Sequence, residues 1–178
     1  MKFKYFLLLI LVLFTVHISA FQVSKRVFKK VNKELVKTFN VKEIQLEGVV
    51  VSDDVNKQLY KEKSIHNLYS VSSDNELLGY AFIDKAPSKT DEYDYLIVLD
   101  KDLIIKKTKI LVYREDYGGE IGSRRWLKQF IGKNSTDKLK YQKDIIAISG
   151  ATISAVSMTH AVNQFLADLA ILQNNNIF

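Results

Sequence analysis

The strongest constraint on the fold is an apolar stripe near the C-terminus. Its members recur three or four positions apart, at Ala155, Met158, Val162, Phe165, Leu166, Leu169 and Leu172. This spacing places them on one side of a helix, and such a helix is stable only when its apolar side packs against another element. The short apolar run at 145–148 is typical of a strand. We therefore expect the chain to enter its last helix from a strand.

Small and hydroxyl-bearing residues separate the predicted strand from the predicted helix, in the order Ser149-Gly150-Ala151-Thr152. Ser149 or Thr152 is expected to cap the helix. The first turn of a helix leaves backbone N–H groups unpaired and carries the positive end of the helix dipole. A phosphate at this place would therefore meet several donors at once, although an ordinary helix start explains the four residues more simply.

The region 67–113 has the composition of β-strands. β-branched and aromatic runs at 68–71, 77–83, 93–99 and 103–113 alternate with turn residues at 72–75, 86–88 and 100–102. Short turns favour antiparallel neighbours, and the only proline, Pro87, falls in a predicted loop. Four aromatic residues are interpreted as sheet packing rather than as a platform for a ring: Tyr80, Phe82, Tyr93 and Tyr95. The predicted class is α+β, with an antiparallel sheet and a packed C-terminal amphipathic helix.

The N-terminal 20 residues have the pattern of an export signal. Lys2 and Lys4 precede an apolar run at 6–16, which is short for a membrane span. The segment is predicted to be a signal peptide cut near Ala20, or else a retained signal anchor. The predicted organisation is this segment at 1–20, a basic helix with a connecting segment at 21–66, one main domain at 67–173, and a tail at 174–178.

A second amphipathic helix is predicted just after the export signal. Its apolar side is Val27, Val31, Leu35 and Phe39, and its basic residues are Lys25, Arg26, Lys29, Lys30 and Lys33. The chain carries a net charge of +6, so this helix is expected either to be simply solvated or to contact anionic lipid headgroups or an acidic partner. Nucleic acid is not an expected partner, because the chain has an export signal.

Several chemistries lack their motifs in this chain. There is no cysteine, which excludes disulfides and thiolate-ligated metals. No nucleophile elbow, Walker sequence or GxGxxG fingerprint occurs, and the SxxK at 135–138 lacks its companion motifs. We therefore name no catalytic residue and no metal ligand.

Two elements of the sequence resemble one known family. Ser149-Gly150-Ala151-Thr152-Ile153-Ser154 is similar to the flavinylation motif of the FMN-binding domain family, and the segment 113–122, with Glu115, Tyr117 and Gly118, is similar to its second element. The family includes the covalent-flavin subunits of the sodium-translocating NADH:quinone reductase and of the Rnf electron-transport complex. The resemblance runs over about 77–172, and it implies a single FMN-binding domain.

The resemblance also implies a cofactor and its attachment. FMN would be joined through a phosphodiester to Thr152 by an FAD:protein FMN transferase, with Ser149, Gly150, Ala151 and Ser154 around it. Glu115, Tyr117 and Gly118 would lie against the flavin ring or its chain. From the hydroxyl chemistry alone, Ser154 is as good an acceptor as Thr152. The chain departs from the family pattern at Ile146, where an Asp is usual.

The expected function follows from this resemblance. The chain would be an exported flavoprotein, periplasmic or on the outer side of the cytoplasmic membrane, that relays electrons between membrane-associated or exported redox proteins. It would be an electron-transfer protein rather than a complete enzyme. The alternative is a cofactor-free binding or structural module that keeps the fold, which Ile146 favours, and a hydrolase is a more distant one.

Overall fold

The computed structural model describes residues 24–60 and 67–178, so the predicted export signal lies outside the described residues. The helices are α1 Lys25–Phe39, α2 Asp53–Asn56, α3 Arg124–Leu127 and α4 Thr152–Asn174. The strands are β1 Gln45–Gly48, β2 Leu68–Ser73, β3 Glu76–Pro87, β4 Glu92–Leu99 and β5 Ile105–Val112. Short 3₁₀ turns lie at Gly119–Gly122 and Lys128–Phe130. Within the described ranges, no helix has the length and apolar character needed to cross a membrane.

The five strands form one sheet in chain order, and every neighbouring pair is antiparallel. The β2–β3 turn is tight because Asp74 and Asn75 both take positive φ, at 51° and 64°, as a two-residue hairpin turn of type I′ requires. The predicted antiparallel sheet is confirmed, and so is its α+β class. Strand β3 runs further than expected, because Pro87 pairs with Glu92 at the end of the strand rather than lying in a loop.

Helices cover both faces of this sheet. Along the central strand β4, Tyr95 and Ile97 point into the core under α4, whereas Leu96 and Val98 point into a second core under α1. Successive residues of a strand face opposite sides, so β4 is buried on both faces from Tyr93 onward. The sheet also includes β1, which belongs to the segment 21–66 that was predicted to precede the main domain.

The two predicted amphipathic helices are present and pack as their patterns indicate. Val27, Val31 and Leu35 of α1 are buried, and every member of the predicted stripe of α4 is buried. Phe165 of α4 stacks on Phe82 of β3 with a centroid distance of 4.3 Å. The aromatic pair therefore joins α4 to the sheet, which holds the first turn of α4 in a defined place.

The strand predicted at 145–148 is wrong. Apart from one isolated bridge between Tyr141 and Ile145, this segment has no strand partner in the described part of the chain. Side chains satisfy its backbone instead: the Ile146 N–H donates to Gln129 Oε1 at 2.7 Å, and its carbonyl accepts from Trp126 Nε1 at 2.8 Å. These two bonds attach the segment to α3 and to the 3₁₀ turn that follows it. Ile146 itself is 72% exposed.

Candidate functional site

The start of α4 lacks a side-chain cap. The helix begins at Thr152, and Ala151 occupies the N-cap position with no side-chain hydrogen bond. The prediction that Ser149 or Thr152 caps the helix is therefore wrong, because the capping position belongs to a residue whose methyl group has no acceptor atom. The backbone N–H groups of the first turn keep their capacity to bind an anion. Thr152 itself is exposed at this end.

A cavity of about 290 Å³ opens at this helix start. Its lining joins the two sequence elements that the resemblance singles out: Lys89, Tyr113, Glu115, Tyr117, Gly118, Gly150, Ala151, Thr152, Ile153 and Ser154. Every predicted site residue except Ser149 therefore lies in one cavity. Ser149 is exposed and does not line it.

A larger cavity of about 660 Å³ lies between α4 and strands β3 and β4. Thr152 and Ile153 line both cavities, so the first turn of α4 stands between them. His160, one turn further along the exposed side of α4 from Val156, also lines the larger cavity. Small-molecule sites in proteins typically have about 300–1,000 Å³, and the two cavities together fall in this range.

Close contacts hold the two sequence elements together. The Tyr113 hydroxyl and Ser154 Oγ are 3.0 Å apart in a hydrogen bond. Gly118 has a φ of 85°, and a Cβ atom there would come within 2.6 Å of the Tyr113 hydroxyl oxygen and 3.4 Å of the Gly150 carbonyl oxygen. The glycine at 118 therefore lets the turn approach the start of α4.

Glu115 lines the cavity, but its hydrogen bonds go to the β3–β4 turn. Its Oε1 accepts from the Thr90 N–H at 2.6 Å, the Ser88 hydroxyl at 2.7 Å and the Asp91 N–H at 3.1 Å. The bonds from the Thr90 backbone and the Ser88 hydroxyl lower the pKa of Glu115 to about 2. The carboxylate is therefore ionised at neutral pH, and it fixes the turn that carries Lys89.

Three lining residues were not predicted as site residues: Lys89, Tyr113 and Ile153, the last of which lies within the predicted motif. Tyr113 opens the second sequence element, so the resemblance contained a signal for it. Lys89 follows Ser88 in the β3–β4 turn, which Glu115 holds beside the second sequence element through hydrogen bonds to Ser88 and Thr90. No local pattern in the sequence indicates this long-range contact.

The start of α4 is uncapped and lies at a cavity lined by a lysine and by exposed apolar side chains. This combination suits the binding of an anionic cofactor with an apolar part. Residues 89–167, from the β3–β4 turn through most of α4, match the family model of the FMN-binding domain. This match covers somewhat less than half of the chain, and it supports a flavin-binding protein that contains an FMN-binding domain. No curated protein matches the chain.

The residues present fit FMN. The unpaired N–H groups at the start of α4 and the Lys89 ammonium suit a phosphate. Tyr117 and Ile153 line the cavity and are exposed large apolar residues, so they offer apolar contact area to a flat ring system. When bound, FMN supplies reversible electron transfer, and the protein supplies attachment, orientation and electrostatics.

Proposed function

We propose that this chain is an exported flavoprotein that carries FMN covalently on Thr152 and relays electrons between membrane-associated redox partners. The observation that carries the proposal is the position of Thr152, exposed at the uncapped start of α4 in the cavity where the two sequence elements meet. A hydroxyl at this point is adjacent to the backbone donors that suit a phosphate.

Thr152 is a better acceptor than its hydroxyl-bearing neighbours. Ser154 is 3% exposed and hydrogen-bonded to Tyr113, so a modifying enzyme has little access to it. Ser149 is exposed but lies outside the cavity. In the proposed transfer, the Thr152 oxygen forms a bond to the phosphorus of the FMN half of FAD, the pyrophosphate bond breaks, AMP leaves, and the hydroxyl proton is released.

The proposed electron relay is supported by the presence of a flavin-binding domain without the motifs of a complete enzyme. It has a flavin-binding domain but neither a nucleotide-binding fingerprint nor a nucleophile motif, which suits a carrier better than a complete enzyme. A covalent tether would keep FMN on a protein outside the cytoplasm. The exposed Lys25, Lys29 and Lys33 of α1 support contact with anionic headgroups at a membrane surface.

Intact mass after denaturation tests the attachment. Wild type is made in an exporting host with an FMN transferase, beside Thr152→Ala, Thr152→Ser and Ser149→Ala. We expect one FMN on the wild type and on Ser149→Ala, and none on Thr152→Ala. Thr152→Ser keeps a hydroxyl and reports whether the site accepts a primary alcohol. Reversible bleaching of the flavin absorbance by a reductant and air then tests electron carriage.

Ile146→Asp tests the departure from the family pattern. Ile146 is exposed near the motif, so a carboxylate there would be accessible to the transferase. If the wild type is unmodified and colourless while the transferase modifies another target, the covalent proposal fails. Modification restored by Ile146→Asp would then identify that residue as the cause, and leave the natural chain as a cofactor-free module.

A further inference from the structure

A basic groove of about 860 Å³ lies beside the edge strand β5. It is formed by α1, β5 and the segment around α3, and we define it by its six cationic residues: Lys37, Lys106, Lys107, Lys109, Arg124 and Lys128. One carboxylate, Glu34, also lines it. The groove therefore concentrates positive charge from three separate elements in one concave surface.

Most of this charge has no ion-pair partner in the described part of the chain. Glu34 binds Lys107 at 2.6 Å. The other five cationic residues of the basic groove form no ion pair within residues 24–60 and 67–178. Like charges held near one another repel, so this arrangement is favourable only where it meets negative charge or is screened by salt.

Protection of the sheet edge explains only part of the basic groove. Lysines on an edge strand discourage pairing with another sheet, and β5 is the edge strand that carries Lys106, Lys107 and Lys109. Lys37 lies on α1, and Arg124 and Lys128 lie in and just after α3, where no strand edge needs protection. Their convergence with the β5 lysines needs a different explanation.

We propose that the basic groove is the docking site for an acidic segment of a partner protein. Its concave shape suits an inserted chain better than a flat bilayer, and its excess of cations is complementary to Asp and Glu side chains. Leu127 and Ile131, the latter 45% exposed, give the groove an apolar wall, as protein interfaces commonly combine charge with apolar contact.

The location connects the basic groove to the flavin site. β5 carries the groove lysines and ends at Val112, and the next residue, Tyr113, lines the smaller cavity. A partner held along β5 would therefore lie beside the strand that leads to the cofactor. That this partner is a redox protein rests on the proposed function, whereas docking of an acidic segment does not.

Binding of a fluorescent hexaglutamate peptide to protein purified from the exporting host tests the proposal. The groove variant combines Lys106→Gln, Arg124→Gln and Lys128→Gln, all at exposed positions. The matched control combines Lys25→Gln, Lys29→Gln and Lys33→Gln, which removes the same charge from exposed positions of α1 outside the groove. Circular dichroism and thermal unfolding establish that both variants are folded.

We expect the groove variant to weaken peptide binding at least about tenfold and the control to change it less than about threefold, with affinity falling as salt rises. Equal weakening by both variants would reduce the effect to net charge and overturn the proposal, as would absence of binding to wild type. The proposal is also overturned if the peptide does not bind while vesicles of equal parts phosphatidylcholine and phosphatidylglycerol bind the wild type more strongly than the groove variant. The basic groove would then bind lipid headgroups. Because no measurement requires attached FMN, failure here is distinct from failure of flavinylation.

Discussion

Two glycines with positive φ lie where the two sequence elements of the proposed flavin site meet. Gly118 has a φ of 85° and Gly150 a φ of 81°, a region that residues with a Cβ atom rarely adopt. A Cβ atom at Gly118 would also approach the Tyr113 hydroxyl, which is hydrogen-bonded to Ser154. The close approach of the turn to the start of α4 therefore depends on the absence of a side chain.

Gly118→Ala is expected to destabilise the protein by about 1–3 kcal/mol, the range for a strained backbone residue, with displacement of Tyr113 adding to the cost. The matched control is the adjacent Gly119→Ala, because a Cβ atom at Gly119 would meet nothing within 4 Å. Denaturant unfolding measures both variants. Equal stability of the two would show that the contact with Tyr113 does not constrain position 118.

Glu115 makes stability depend on pH at the acid end. Its folded pKa is lowered to about 2, below the unfolded value of about 4.3, so its contribution is fully present above about pH 4.3 and is lost as pH falls towards 2. Glu115→Gln should therefore lower the melting temperature at neutral pH, and the difference from wild type should shrink between these two pH values.

The control for Glu115→Gln is Asp116→Asn. Asp116 is exposed and forms no hydrogen bond or ion pair with other residues in the described ranges, so its substitution should leave the melting temperature close to wild type at neutral pH. A difference for Glu115→Gln that stays constant down to pH 2 would contradict the assignment, since it would then arise from shape rather than from charge.

At the scale of elements, α4 serves both the core and the site. Its buried side packs on β3 and β4, and its first turn lines both cavities. The packing of the later turns, including Phe165 on Phe82, therefore sets the position of Thr152. A loss of core packing in the middle of α4 should therefore change the position of Thr152 at its start.

Leu169→Ala is expected to destabilise the protein by about 2–5 kcal/mol, because it leaves a cavity at a fully buried position. Val156→Ala, at an exposed position of the same helix, should change stability by less than about 0.5 kcal/mol. Urea unfolding monitored by circular dichroism compares the two. A similar cost for both would indicate that the buried side of α4 contributes little more than its exposed side.

At the scale of the whole molecule, the described residues form three layers, with the sheet between α1 and α4. α1 covers the face of the sheet formed by Val71, Ala81, Ile83, Leu96 and Val98. Lys30 of α1 also donates to the Leu111 carbonyl at 2.6 Å, and Lys107 of β5 binds Glu34 of α1. The N-terminal helix is therefore attached to the sheet by apolar and polar contacts.

A fragment of residues 67–178 should fail to behave as a folded monomer, whereas residues 21–178 should be monomeric. The shorter fragment lacks α1 and β1, so one whole apolar face of the sheet meets water. Size-exclusion chromatography and binding of a hydrophobic dye measure the difference. A compact, dye-negative 67–178 fragment would show that α1 is an accessory to an independently stable unit.

The sequence by itself determined the elements and the class of cofactor. The two-residue alternation of the strands, the stripes of α1 and α4, and the motif ending in Thr152 are local patterns, so they could be recognised without the fold. The strand expected at 145–148 was wrong, because Trp126 and Gln129 satisfy the backbone of Ile146 from another part of the chain. The expected cap of α4 was wrong because Ala151 occupies the N-cap position.

Only the tertiary structure decided which distant residues meet. The place of Lys89 depends on Glu115 binding the β3–β4 turn, and the basic groove exists because α1, β5 and α3 converge. The physical reason is that periodicity reports which side of an element is apolar, whereas contacts between polar groups far apart in the chain depend on how the layers pack. The proposed acceptor hydroxyl of Thr152 could therefore be recognised from the sequence, whereas the position of Lys89 in the same cavity could not.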